Sequence, residues 1–227
     1  MKVSWRTELP QWFAIAAMFA LAAWAWPRLP ESIPIHWNIH GEVDGYGSKF
    51  VGLLLLPLTM LGMYWMLRLI YLIDPGKQNY ASFSTTLAII RTTILFFLAV
   101  IYCAAVLTTF GHNVNMTTIA CFAVGAMFNI LGNFMSKIRP NWFVGVRTPW
   151  TLSSKTSWNK THRLAGWLFL LMGLLIVATG AIQTFWMFLT MAVINGLCLA
   201  WMVIYSYLVY RQDPHRISAA GVSPSAE

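Results

Sequence analysis

Acidic residues are scarce in this chain: seven, against 15 lysines and arginines, for a net charge of +8. Charged residues of both signs make up 10% of its 227 residues, while 58% are hydrophobic. A soluble domain carries roughly 25% charged residues, so the shortage excludes one and points to an integral membrane protein. Cysteine is scarce as well. Cys103, Cys121 and Cys198 fall singly within apolar runs, with the spacing of neither a disulfide framework nor a metal site, and read as small packing residues. No Asp, Glu or Lys stands in the middle of an apolar run, where ion-coupled carriers usually place one.

Long apolar runs are what the chain has in place of charge. Six segments reach the length of about 20 helical residues that a bilayer requires: 11–26, 50–73, 92–110, 117–135, 164–182 and 184–210. The expected fold is therefore all-α, a polytopic membrane bundle of about six spans. Ala23-Trp24-Ala25 has the look of a signal-peptide cleavage site, but the bulky Trp26 and Pro27 beyond it make a poor mature terminus, so the first span is expected to be retained. Orientation follows from the basic residues of the connectors. With the N-terminus inside, Lys2, Arg6, Arg68, Lys77, Arg91, Lys137, Arg139, Arg147, Lys155, Lys160, Arg163, Arg211 and Arg216 are cytoplasmic, and only Arg28 and Lys49 lie outside. That asymmetry predicts both chain ends inside, and it accounts for the positive charge without direct nucleic-acid binding.

The connector 27–49 is the sizeable external segment. Pro27, Pro30 and Pro34 prevent a regular helix. Ile33, Ile35, Trp37 and Ile39 alternate with Pro34, His36, Asn38 and His40, the period of an extended strand, and Asp44-Gly45 is a turn signal. His36 and His40 invite a metal, with Glu42 and Asp44 beside them. Positions four apart in a strand are separated by roughly 13 Å, too far to share one ion, so a hydrogen-bonded cap without metal or other cofactor is expected.

The connector 137–163 carries six basic residues, no Asp or Glu, and Trp142, Trp150 and Trp158 among them. Only His162 is suited there to proton transfer near neutral pH. Pro140 and Pro149 break the stretch into pieces, and Ser153 or Ser154 is placed to cap a short helix containing Trp158 and His162. Two readings stand. The tryptophans, with Phe143 and Trp167, settle at head-group depth while the cations meet anionic lipid phosphates; or the loop is a preorganised docking surface whose Arg139, Arg147 and Arg163 receive an acidic partner or a phosphate. Arg147, between a flexible Gly145 and the rigid Thr148-Pro149, is the residue best placed to hold a fixed direction.

In the fourth span Gly125, Asn129 and Asn133 line one face. They are read either as hydrogen-bonding a neighbouring helix, with Asn195-Gly196 of the sixth span a candidate partner for Asn129, or as lining a pathway. Gly166, Gly173 and Gly180, seven apart, form a packing stripe. The tail 211–227 reads as disordered.

Two stretches carry a resemblance. IPIHWNIHGEVDGYGSK, residues 33–49, resembles the extracellular motif of the small N-terminal domain of unknown function in SdpI-type membrane proteins. GNFMSKIRPNWFVGVRTPWTLSSKTSWNKTHRLAGW, residues 132–167, is similar to the C-terminal signature of the SdpI/YfhL family. The resemblance divides the chain into an N-terminal two-helix domain with its external loop (1–76), a third span with its connectors (77–116), an SdpI-like region (117–210) and the tail. Carried onto this sequence, it marks Asn133, Lys137, Arg139, Pro140, Asn141, Trp142, Gly145, Arg147, Thr148, Pro149, Trp150, Trp158, His162 and Arg163 as inner docking residues. Outside it marks Pro34, His36, Trp37, Asn38, Gly41, Asp44, Gly45 and Lys49.

What the resemblance implies is an immunity protein of the bacterial cytoplasmic membrane. The family's founding member protects a toxin-secreting bacterium from its own membrane-active peptide and captures a cytoplasmic repressor at the membrane. The competing classes are a transporter or channel, using the amide face of the fourth span, and a lipid-head-group enzyme. The enzyme reading has little to work with, because the inner side offers only Glu8, Asp74, Asp213 and Glu227 as carboxylates; no catalysis is expected.

Overall fold

The computed structural model describes residues 5–216. Seven α-helices and one β-hairpin follow one another: α1 Trp5–Ala25, β1 Ser32–Trp37, β2 Val43–Ser48, α2 Lys49–Leu69, α3 Ser84–Thr109, α4 Met116–Met135, the single turn α5 Pro149–Leu152, α6 Lys155–Ile182 and α7 Phe185–Arg211. Among the described residues six helices are long and apolar enough to cross a membrane, so the chain is a polytopic helical bundle. The spans start earlier than hydropathy alone suggests. α3 begins at Ser84 and α6 at Lys155, because each first stretch has one buried face, with Thr86, Leu87 and Arg91 in α3 and Ser157, Trp158 and His162 in α6. The short helix expected around Trp158 and His162 is thus the opening of the fifth span.

The bundle has two packed halves. α1, α2 and α3 enclose one apolar core around Met18, Leu53, Met60 and Leu95. The other half is built on α4 against α6, with α7 added on the far side of α6. The glycine stripe makes that pairing close. A β-carbon at Gly173 would stand 2.7 Å from Asn129 Nδ2 and from the Gly125 carbonyl, and one at Gly166 2.9 Å from the Gly132 carbonyl. Cys121 lies against Gly180, the small packing role its setting suggested. With the space filled this way, the Asn129 and Asn133 amides turn back on their own helix, donating to the Gly125 carbonyl at 2.9 Å and the Asn129 carbonyl at 2.8 Å. The expected bond to a neighbouring helix is absent, and Asn195 is no partner for Asn129; its Oδ1 is buried without a hydrogen bond.

At one end of the bundle β1 and β2 pair antiparallel. The reversal falls at 38–42 rather than at Asp44-Gly45, which lies within β2. Asn38 is the cause. Its Oδ1 accepts the backbone N–H groups of His40 at 2.9 Å and Glu42 at 3.0 Å, and Gly41 takes φ +80°, an Asx-type turn that ends the strand before Ile39. His36 Nδ1 meets Asp44 Oδ1 across the hairpin at 2.5 Å, His40 does not join them, and Lys49 pairs with Glu31 at 2.9 Å at the start of α2.

Candidate functional site

The opposite end of the bundle carries the basic cap, and a few buried polar side chains organise it. Asn141 Oδ1 accepts the N–H groups of Phe143 at 2.9 Å and Val144 at 2.6 Å, while its Nδ2 donates to the Arg139 and Val144 carbonyls, both at 2.9 Å. One buried amide thus satisfies backbone groups that no regular element serves. Asp74 fastens this loop to the α2–α3 connector. It accepts from Tyr80 Oη at 2.6 Å, Trp142 N at 3.0 Å and Gly76 N at 2.6 Å, and Asn79 Nδ2 adds a bond to the Pro140 carbonyl at 2.7 Å.

At the centre stand Trp158 and His162, one turn apart on α6 and both fully buried. Their rings stack at 4.1 Å. Trp158 Nε1 donates to the Ile138 carbonyl at 2.9 Å. His162 Nδ1 lies 2.8 Å from the Trp158 carbonyl and its Nε2 3.1 Å from Val146 N. A backbone N–H donating to Nε2 requires a lone pair there, so the imidazole is neutral with its proton on Nδ1. Gly145, φ +109°, passes the Nε2 edge of the ring, where a β-carbon would overlap Nε2. Gly145 serves close approach in a left-handed conformation, not flexibility, and His162 is a tie between α6 and the loop.

The cap is also tied to α7. Thr148 caps α5 in a reciprocal box with Thr151, Pro149 opens the turn, and Thr148 Oγ1 lies 3.0 Å from Ser206 Oγ. Trp150 packs on Tyr207 with ring centroids 5.2 Å apart. Ser154 caps α6 and donates to the Asp213 carboxylate. Burial raises the Asp213 pKa, but hydrogen bonds from Ser154, the His215 N–H and Thr156 outweigh it and hold the carboxyl below its ordinary value. Residues 212–216 are consequently anchored rather than disordered; the expectation for the rest of the tail falls on residues 217–227, outside the described ones.

The six loop cations face outward. Arg147 Nη1 donates to the Trp142 carbonyl at 2.8 Å, which fixes its direction, and Lys137 sits 4.4 Å over the Phe134 ring. Arg163 opens onto a small groove with Asn133, Ser136 and Trp167, whereas Arg139 lines a different cavity. The tryptophans divide too. Trp142 and Trp167 are 55% and 71% exposed, as head-group anchors would be, whereas Trp158 is core.

Sequence reasoning missed a second buried polar cluster. Arg91, counted among connector cations, lies inside α3 with no exposure. It pairs with Glu8 of α1, and its Nε donates to Gln11 Oε1 at 2.6 Å. Tyr64 Oη donates to Glu8 at 2.7 Å, and Gln11 Nε2 to Thr92 Oγ1 at 2.8 Å. Its sequence signal was a carboxylate and an amide three apart on one face of an apolar helix. Among the described residues no group of three or more His, Cys, Asp or Glu is arranged to hold a metal.

Two segments of the chain match known protein families. Residues 137–206, the cap with α6 and most of α7, match the SdpI/YfhL protein family, and residues 13–61 match a domain of unknown function, DUF1648. The chain is 28% identical over 184 residues to a Bacillus subtilis (strain 168) protein named immunity protein SdpI, spanning 81% of this chain and 86% of that one. No solved structure matches. The chain is a multi-pass membrane protein with a C-terminal segment similar to the SdpI/YfhL protein family.

Proposed function

We propose that the chain is an SdpI-like immunity protein that protects the bacterial cytoplasmic membrane around it from a membrane-active peptide. In this reading both chain ends and the cap are cytoplasmic and the hairpin is external. One observation carries it: the segment matching the SdpI/YfhL family begins at the cap's basic loop and includes all of it, and there buried Asn141, Trp158 and His162 hold a shaped surface in place of a slack connector. The relative's name and its coverage of both chains support the same reading. The hairpin leaves Ile35, Ile39 and Tyr46 exposed, and these are the residues proposed to meet the peptide as it arrives. Catalysis gains no support from His162, whose two nitrogens are both engaged. The transport reading gains none from α4, where Gly173 of α6 closes on Asn129 and both amides bond their own helix.

The test is survival of a sensitive strain expressing the chain, across a dose series of membrane-active peptides. Protection should appear for at least one peptide and fall when Ile35, Ile39 and Tyr46 are replaced together by serine at equal membrane abundance. No protection from any peptide, at normal abundance, sinks the reading. Topology is tested separately, in a variant with Cys103, Cys121 and Cys198 replaced by alanine. A cysteine at position 48 should react with an impermeant thiol reagent in intact cells, and one at position 153 should not.

A second reading concerns the inner face. Arg139, Arg147 and Arg163 are exposed while the cap's carboxylates, Asp74 and Asp213, are buried and saturated with donors. That imbalance favours anionic partners, namely lipid head groups and an acidic surface on a captured repressor. Co-sedimentation of a candidate repressor with membranes holding this chain, and its loss on charge reversal at Arg147, is the expected result.

A further inference from the structure

Two of the loop cations, Arg139 and Lys155, face a single cavity of about 600 Å³ in the cap. Its walls come from separate parts of the chain: Asn79 and Ser82 before α3, the Arg139-Pro140 turn, Ser153, and Lys155 with Asn159 on the first turns of α6. No carboxylate lines it. Asp74 and Asp213, which stand behind its walls in the cap, are 2% and 3% exposed and point their oxygens at Tyr80, Trp142 and Ser154. Among the described residues neither the Arg139 guanidinium nor the Lys155 ammonium has an ion pair or hydrogen bond. Lys155 also opens α6, where the first backbone N–H groups lack intrahelical acceptors and add positive potential on the same side.

We propose that this cavity binds a phosphate group carried on a small organic scaffold. The lining offers the Arg139 guanidinium, the Lys155 ammonium, the Asn159 amide and the Ser153 hydroxyl, while Asn79 Nδ2 and Ser82 Oγ already donate to the Pro140 and Asn79 carbonyls. That arrangement suits a tetrahedral oxyanion, whose oxygens point several ways, better than a planar carboxylate. Bare phosphate would leave most of the volume empty, whereas 600 Å³ falls within the range of about 300–1,000 Å³ typical of small-molecule sites. The scaffold has two sources, the head group of an anionic phospholipid or a soluble phosphate monoester. The site needs no toxin and stands or falls independently of the protective role.

The experiment uses the full chain in nanodiscs. One arm titrates glycerol 3-phosphate into discs of phosphatidylcholine alone; the other replaces that lipid stepwise by phosphatidylglycerol, and phosphorus NMR follows the bound fraction in both. Arg139→Gln with Lys155→Gln removes the cavity's cations, and Arg6→Gln with Lys160→Gln removes the same charge elsewhere. The cavity variant should bind about tenfold more weakly or worse, from losing two charge-assisted contacts, while the control stays close to wild type. Response in the phosphatidylglycerol arm alone identifies the lipid, and response to glycerol 3-phosphate the soluble ester. Absence of binding in both arms overturns the proposal, and so does equal weakening in the two double variants, which would mark diffuse attraction only. Polyglutamate binding that the cavity variant abolishes, with neither phosphate bound, overturns it too. Thermal melting verifies folding, and Lys155→Gln alone serves if the cavity variant does not fold.

Discussion

Gly145 lies against the edge of the buried His162 ring, leaving no space between its α-carbon and Nε2 for a side chain. The loop therefore reaches α6 only because residue 145 lacks a β-carbon, and the Val146 N–H behind it completes the bond to the imidazole.

The first expectation follows directly. Gly145→Ala must displace the ring or strain a backbone at φ +109°, at a cost of about 2 kcal/mol or more. Thermal unfolding in detergent should show a lower midpoint, and protease should cut 139–148 sooner than in the wild type. An unchanged midpoint would mean that the loop can move off α6 freely.

The Arg91–Glu8 pair should behave as a buried ion pair does. Removing one partner, as in Arg91→Met, strands the Glu8 carboxylate and should cost about 3–5 kcal/mol. The double variant Arg91→Met with Glu8→Leu should recover a substantial part of that loss. Unfolding in mixed micelles measures both, and additive losses would contradict the coupling.

Glycines on the spans should divide sharply. A β-carbon at Gly173 meets Asn129 and the Gly125 carbonyl, whereas none of the surroundings comes within 4 Å at Gly196. Gly173→Val should push α4 from α6 and lower stability by about 1–3 kcal/mol. Gly196→Ala should be neutral, or stabilise α7 by up to about 1 kcal/mol through helix propensity. Equal effects at the two sites would argue against the close α4–α6 seam.

Arg147 tests what the outer surface of the cap recognises. Its guanidinium is held by the Trp142 carbonyl through Nη1 alone, which leaves further donors aimed outward. Lysine keeps the charge but loses the fork. Arg147→Lys is expected to weaken protection by about ten- to hundred-fold, the loss of one bidentate contact, while Lys160→Arg is silent. Matched dose curves for both would reduce the loop to an electrostatic anchor.

The spans were legible because apolar length alone determines what can cross a bilayer, and the glycine stripe because seven-residue spacing repeats one face. Ser153 and Ser154 were both candidates for the cap from type and position, and the cap is Ser154. Trp158 was misread as an anchor because a tryptophan among cations looks the same buried or exposed; only the contacts with Ile138 and His162 separate it from Trp142. The Arg91–Glu8 pair spans more than 80 residues of sequence, and no local pattern joins such distant positions. The turn at Asn38 was not legible, since the residue fell in the alternating pattern and an Asx turn depends on which backbone N–H groups the side chain meets.

The contacts of α4 have a mechanical consequence. At its start Thr117 Oγ1 donates to the Asn38 carbonyl at 3.2 Å, in the hairpin turn. At its far end the chain runs within five residues into Pro140, whose carbonyl is held by Asn79. Between them is an unbroken helix of 20 residues, a rod of about 30 Å. With glycine contacts clamping it to α6 along its length, the rod has no joint at which to bend, so the hairpin turn and the cap are bolted to opposite ends of one strut.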